Sequence, residues 1–151
     1  MKLMKRNGFS LTSVCPLCGK TDETWEHVHK CGSIIAKISR QQKLQHLKNA
    51  LVRKKTHPIL LQRILAMIMQ WTNNYAVTTP IGDSTLKILN ESFLDQKRLG
   101  IGNIFCGIIS VYFGRVHLDY YNKISANTVR FIEHEWNVTF IRALLNYSYG
   151  I

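Results

Sequence analysis

The feature that most constrains the fold of this chain is a cluster of cysteine and histidine residues between residues 15 and 31. Two residues separate Cys15 from Cys18, eight more lead to His27, and Cys31 follows after another three. Thiolate and imidazole groups are the usual ligands of structural zinc, and four of them complete a tetrahedral site. The spacing therefore predicts one structural zinc ion bound by Cys15, Cys18, His27 and Cys31.

The second half of this motif is expected to form a short helix. Thr24 is a favoured N-cap residue, so Trp25 to Cys31 can be helical, with His27 and Cys31 one turn apart on the same face. His29 competes with His27 for the ligand role, but it would point to nearly the opposite side of that helix. A site with four protein ligands leaves no open position for water and is structural, not catalytic. The alternatives are ordinary reduced cysteines or a disulfide bond.

Length and composition indicate one globular domain with a partner of negative charge. The chain has 151 residues, of which 46% are hydrophobic, and its formal net charge is +11. Such a basic domain is typical of proteins that bind RNA or DNA, and an anionic membrane surface is the other candidate. No signal-peptide pattern is found, and the longest apolar-rich run, residues 101–114, is too short to span a bilayer. We expect an intracellular protein, nuclear or cytoplasmic, without a membrane partner, and we expect Cys106 to be a small core residue.

The pattern of apolar residues predicts an all-α fold of about five helices that carries the zinc knuckle. We divide the chain into a basic lead-in (1–14), the zinc module (15–32) and a helical domain packed with it (33–151). Helices are predicted over 33–55, 59–72, 84–99, 103–122 and 129–147, with loops at 73–83 and 125–128. The helix at 59–72 is apolar on more than one side and should be central. The β-branched content of 103–122 leaves a strand as the alternative there.

Several packing predictions follow from the same periodicity. In the first long helix, the isoleucines and the leucines lie on different sides. We therefore expect either a bend near residues 40–42 or a helix that packs against two neighbours, with Ile34, Ile35 and Ile38 against the zinc module. The residues predicted to face inward in the later helices are Leu86, Leu89, Phe93, Leu94, Ile104, Ile108, Ile109, Tyr112, Val116, Val129, Ile132, Trp136, Phe140 and Leu144.

The first long predicted helix carries a concentration of positive charge. It lies within residues 32–82, which contain no Asp or Glu to offset its lysines and arginines. A helix with charges of one sign is expected to bind phosphates without base specificity, whereas a merely solvated face usually mixes both signs. Trp25 and Tyr75 are the candidates for base stacking, and Trp71 and Trp136 are expected in the core. The residues predicted to bind nucleic acid are Lys37, Arg40, Lys43, Lys48, Arg53, Lys54 and Lys55.

The sequence does not contain a recognisable catalytic constellation. Its nine acidic residues are scattered, and it has neither a glycine-rich phosphate loop nor a serine nucleophile elbow. The Pro-Cys-x-x-Cys order of the zinc deaminases is also absent. His134, between two glutamates, is expected at a helix surface. We therefore predict a protein that is not an enzyme.

The motif Cys-Pro-Leu-Cys-Gly, followed by Glu-Thr-Trp-Glu-His-Val-His-Lys-Cys, resembles the zinc-binding region after the reverse transcriptase domain of non-LTR retrotransposons. The resemblance covers residues 15–31. It implies that Cys15, Cys18, His27 and Cys31 bind zinc, and that the module holds RNA or DNA beside a polymerase. The polymerase Tyr-x-Asp-Asp signature is missing from the sequence. The other interpretations are a protein-interaction module stapled by zinc, with the apolar helices 59–72 and 103–122 facing a partner, or a non-functional remnant of such an element.

Overall fold

A computed structural model describes residues 13–78, 86–124 and 132–149. The predicted lead-in up to residue 12, the Ser84 cap, and the loop at 125–128 with Val129 lie outside these ranges. The described residues form six α-helices and one 3-10 helix, which runs from Ile101–Cys106. The α-helices are α1 (Trp25–Lys30), α2 (Ile34–Arg53), α3 (Pro58–Thr72), α4 (Lys87–Leu99), α5 (Val111–Ile124) and α6 (Ile132–Tyr149). The described ranges contain no strand, and their only β-type pairing is an isolated bridge between Val14 and Asp22. The predicted all-α class is therefore confirmed.

Helix α2 begins and ends where its local sequence dictates. The Ser33 hydroxyl accepts a hydrogen bond from the Ala36 amide (3.1 Å) and caps the first turn. At the other end Lys55 adopts a left-handed conformation (φ 52°), and His57 then caps α3, with Pro58 as the first residue of that helix. Residues 40–42, where a bend was one of the two predicted alternatives, belong to one uninterrupted α-helix.

The core lies where α2, α3, α5 and α6 meet, and aromatic and branched side chains fill it. Helix α6 packs along α2, α5 and the 3-10 helix, and α4 packs on α5. Helix α3 contacts α1, α2, α5 and the 3-10 helix through one broad buried face, whereas Ile59 and Met69 on its opposite side are exposed. The fully buried side chains include Leu47, Leu51, Leu60, Ile64, Ile68, Ile104, Phe105, Phe113, Trp136, Phe140 and Leu144.

One buried hydroxyl fixes the end of α2 against α6. The Thr56 Oγ1 atom donates to the Leu51 carbonyl and accepts from the Trp136 indole N–H, both at 2.7 Å. Both polar groups are thereby satisfied in a buried position, where an unpaired group would cost about 1–3 kcal/mol. The prediction that Trp136 belongs to the core is confirmed.

The predicted helix at 103–122 is wrong in its first third. Residues up to Cys106 form the 3-10 helix, and Gly107 then takes a left-handed φ of 81° that ends it. The Gln96 side chain holds the following connection: its Oε1 atom accepts from the Ser110 amide and its amide group donates to the Ile108 carbonyl. Helix α5 starts only after this connection.

This break also moves side chains that were predicted to face inward. Ile108 is exposed and Tyr112 is only half-buried, whereas Ile104 and Val116 are buried as predicted. Cys106 is exposed, so its assignment to the core is wrong. In α4, Leu89 and Phe93 are buried but Leu94 is exposed. A regular helical period cannot describe a segment that changes from a 3-10 helix to a connection and then to an α-helix.

Candidate metal centre

The first cysteine pair lies on a tight backbone turn. The Cys15 carbonyl accepts from the Gly19 amide, and the Cys15 amide donates to the Thr21 carbonyl, both at 2.8 Å. Gly19 adopts φ +64°, a conformation that side-chain-bearing residues rarely take. The turn therefore returns the chain toward Thr21 and brings both thiols to the same side.

The second pair comes from α1 and the residue that ends it. The Thr24 hydroxyl accepts from the His27 amide (3.0 Å), as expected of an N-cap. The helix ends one residue earlier than predicted, and Cys31 is its C-cap. His27 and Cys31 are still one turn apart, so both reach the cysteine turn.

The four predicted ligands converge on a single point. Their ligand atoms all lie within 4.8 Å of one another. The Sγ atoms of Cys15 and Cys31 are 3.9 Å apart, and the Cys18 Sγ atom is 3.4 Å from His27 Nε2. A tetrahedral zinc ion with bonds of about 2.3 Å to sulfur and about 2.0 Å to nitrogen requires separations of roughly 3.8 and 3.6 Å. These four residues could therefore hold one metal ion, and their soft donors suit zinc.

Neighbouring groups orient the candidate ligands. The Thr21 hydroxyl is 3.1 Å from His27 Nδ1, so it can accept the N–H of that ring when Nε2 faces an ion. Arg40 from α2 donates to the Cys31 carbonyl (2.7 Å) and connects the metal centre to the helical body. Neither contact could be predicted from the motif, because neither Thr nor Arg belongs to a zinc ligand pattern.

Hydrogen bonds to sulfur favour the thiolate that a metal requires. The pKa of the Cys18 thiol is lowered to about 6, mainly because the backbone N–H of Lys20 donates to its sulfur. Burial raises the pKa of the Cys15 thiol, although the amides of Cys18 and Leu17 oppose that effect. A bound cation would favour deprotonation of both thiols.

His29 lies on the other side of α1 and packs into the aromatic core. It is 3% exposed, and its ring stacks on Phe105 with centroids 4.5 Å apart. The Trp25 and His29 ring centroids are 4.6 Å apart in an edge-to-face arrangement, and burial lowers the histidine's pKa to about 4. His29 therefore joins the zinc module to the body. In the sequence, only its position on the opposite side of the predicted helix from Cys31 distinguishes such a histidine from a metal ligand.

The isoleucines at the start of α2 do not pack on the metal module, contrary to the prediction. Ile34, Ile35 and Ile38 are exposed, and Ala36 alone from this turn joins the small cluster around Cys15 and Cys31. Ala36 lies on the buried side of α2, whereas the three isoleucines face outward.

The seven cations predicted to bind nucleic acid do not form one stripe. Lys37, Lys48, Arg53, Lys54 and Lys55 are exposed, whereas Arg40 and Lys43 are partly buried. Arg40 is bound to the Cys31 carbonyl, and partial burial lowers the pKa of Lys43. The exposed cations are most concentrated at the C-terminal end of α2.

That end of α2 adjoins cations and aromatic rings from other helices. A cavity of about 210 Å³ is lined by residues that include Arg53, Lys54, Lys55 and Tyr121. A second cavity, of about 420 Å³, is lined by residues that include His57, Lys87, Tyr120 and Lys123. The His57 and Tyr120 ring centroids are 4.7 Å apart. We call these residues (Arg53, Lys54, Lys55, His57, Lys87, Tyr120, Tyr121 and Lys123) the basic-aromatic surface.

Acidic groups also border this surface. Glu135 lies 3.6 Å from the Lys54 ammonium, and Asp119 lines the larger cavity. The four lysines and one arginine still outnumber these two carboxylates, so the surface is positive.

The aromatic residues nominated for stacking differ in exposure. Tyr75 is exposed, but Trp25 is partly buried against Tyr149 and His29, which removes most of its ring from a ligand. Trp71 packs on the core at its edge, with the Lys30 ammonium 4.4 Å from its ring centroid. Sequence reasoning did not identify Tyr120 and Tyr121, because their proximity to the α2 cations depends on the packing of α5.

Comparison with known proteins gives no family assignment: no family model, curated protein or solved structure matches the chain. Among the helices in the described part of the chain, none has the length and apolar character needed to cross a membrane.

Proposed function

We propose that this chain is a non-catalytic module, stabilised by one zinc ion, that binds RNA or DNA through the phosphate backbone. The observation that carries the proposal is the basic-aromatic surface, where five cations, from the C-terminal end of α2, the connection after it, α4 and α5, adjoin two tyrosines and a histidine. Clustered cations neutralise phosphates, and aromatic rings can stack on bases without sequence preference. His57, Tyr120 and Tyr121 are half-buried, so part of each residue reaches the surface. This arrangement suits a nucleic acid better than a small acidic metabolite, because its charges are spread across two adjoining cavities.

Zinc acts in this proposal as a structural ion and not as a reaction centre. The four candidate ligands fill a tetrahedral shell, and Arg40 and His29 connect that shell to the helical core. The metal would thereby fix the N-terminal end of α2, while the same helix carries Arg53 at its other end.

The proposal is tested by measuring binding to labelled single-stranded RNA and duplex DNA across a salt series. Arg53 and Lys123 are exposed and belong to the basic-aromatic surface, so R53E/K123E should weaken binding and reduce the log–log salt slope by about 2. The matched control is K97E/R98E, which reverses two exposed cations at the opposite end of α4 from Lys87.

The outcomes separate the proposal from a non-specific charge effect. We expect the control to retain the wild-type slope to within experimental error. Equal losses in both variants would indicate that only net charge matters, and no binding at low salt would overturn the proposal.

A further inference from the structure

The outward face of α2 is largely apolar and amide-bearing, although the helix belongs to a strongly basic chain. Its exposed apolar residues are Ile34 (76% exposed), Ile35 (66%), Ile38 (51%) and Val52 (51%). Four amide side chains are exposed between them, at Gln41, Gln42, Gln45 and Asn49, and Lys37, His46 and Lys48 are exposed along the margins. We call the four apolar and four amide residues the outer face of α2. Branched apolar side chains exposed along one helix face are typical of interaction surfaces.

The spacing of this face matches the seam of a helix pair. Positions 34, 38, 41, 45, 48 and 52 alternate steps of four and three residues, which is the heptad spacing that keeps side chains on one line along a helix. Two isoleucines begin the line, a valine ends it, and Lys48 is its one charged member. The 20-residue helix is about 30 Å long. The face can therefore receive a partner helix of about five turns.

The charges around the face determine what kind of partner fits. Lys37 and Lys48 lie along one edge, and Arg53 lies beyond Val52 at the end. No Asp or Glu occurs between residues 32 and 82, so this helix offers cations only. A partner helix with acidic residues beside its apolar seam would pair with these cations.

We infer that the outer face of α2 is a docking site for an acidic amphipathic helix of another protein. A second copy of this chain fits less well, because it would bring like charges together along the edges. A membrane fits less well too, because burial of the central glutamines in hydrocarbon would leave their amides unpaired, whereas a polypeptide can hydrogen-bond to them. The inference is independent of nucleic-acid binding, which uses the other end of α2 and the helices beside it.

The probe that tests the inference is a labelled 21-residue helical peptide with Leu at heptad positions a and d and Glu at positions e and g. Repulsion between the glutamates of two copies prevents the peptide from pairing with itself. We expect binding to the zinc-loaded protein by fluorescence anisotropy. I34S/I38S should weaken binding at least about tenfold, and the control I108S/V111S, which alters exposed apolar residues elsewhere, should not. A peptide with Lys at e and g should bind weakly to the wild type and more tightly to K37E/K48E.

The inference is overturned if the acidic peptide does not bind, or if it binds I34S/I38S as tightly as wild type. Sedimentation that shows a dimer lost in I34S/I38S would assign the face to a second copy instead. Flotation with phosphatidylserine vesicles that depends on the same isoleucines would assign it to a membrane. Because Lys123 lies on α5, K123E leaves α2 unchanged, so this single variant should bind the peptide normally even where nucleic-acid binding is weakened.

Discussion

At the residue scale, the two central histidines of the zinc motif show how helical geometry gives different roles to identical side chains. His27 faces the cysteine turn, and His29, two positions later, stacks on Phe105 in the core. The face argument from sequence separated them, because residues two apart on a helix point to nearly opposite sides. The role of His29 in packing could not be predicted, since it depends on Phe105 and Tyr147, which are distant in sequence.

His117 is the residue for which the structure predicts a pH effect on stability. It is buried beside Trp136, its Nδ1 atom has no partner among the described residues, and burial lowers its pKa from 6.5 to about 4, with a further contribution from His57. The unfolded chain therefore binds this proton more readily than the folded one. The neutral ring makes its full contribution to the free energy of unfolding above about pH 6.5, and this contribution is lost as the pH falls toward 4.

Urea unfolding at several pH values checks this prediction. Between pH 7 and pH 4 the wild type should lose more free energy of unfolding than H117F, which preserves the stacked ring but cannot titrate. The difference should be on the order of 2–3 kcal/mol. Parallel curves for the two proteins would show that His117 is not the titrating group.

At the element scale, continuous amphipathic helices were predictable and the irregular connection was not. Helices α3 and α6 follow the apolar periods that predicted them, and their buried residues include Ile64, Ile68, Trp136 and Phe140. The segment 103–110 was assigned to a helix because its apolar residues dominate the pattern. Its path depends instead on Gly107 and on hydrogen bonds from Gln96, which lies in another element.

The 3-10 helix depends on a close approach to α3 that only glycine permits. A Cβ atom at Gly102 would lie 2.6 Å from Cζ2 of Trp71, whereas a Cβ at Gly32 meets nothing within 4 Å. G102A should therefore displace the indole and lower the free energy of unfolding by about 1–3 kcal/mol. G32A is the matched control and should change it by less than about 0.5 kcal/mol. Thermal unfolding followed by circular dichroism measures both, and equal stability of the two variants would refute the packing described here.

At the scale of the whole molecule, α2 connects three separate surfaces. Its first turn borders the candidate metal centre, its outer face is open to a partner, and its last residues enter the basic-aromatic surface. The sequence predicted the metal ligands because their spacing is local. The proposed nucleic-acid contacts were predicted along α2 alone, because the proximity of Tyr121, Lys123 and Lys87 to the end of that helix depends on tertiary packing that one helix does not reveal.

The central claim is that Cys15, Cys18, His27 and Cys31 bind one zinc ion that the N-terminal part of the fold requires. The direct measurement is X-ray absorption spectroscopy of zinc in the purified protein, with metal content determined on the same sample. We predict one zinc per chain, with three sulfur neighbours at about 2.3 Å and one nitrogen at about 2.0 Å. H27A should lose the nitrogen neighbour and most of the affinity, and H29F should retain both. A zinc-free protein that is fully folded, or a nitrogen neighbour that is lost in H29F and retained in H27A, would contradict the account.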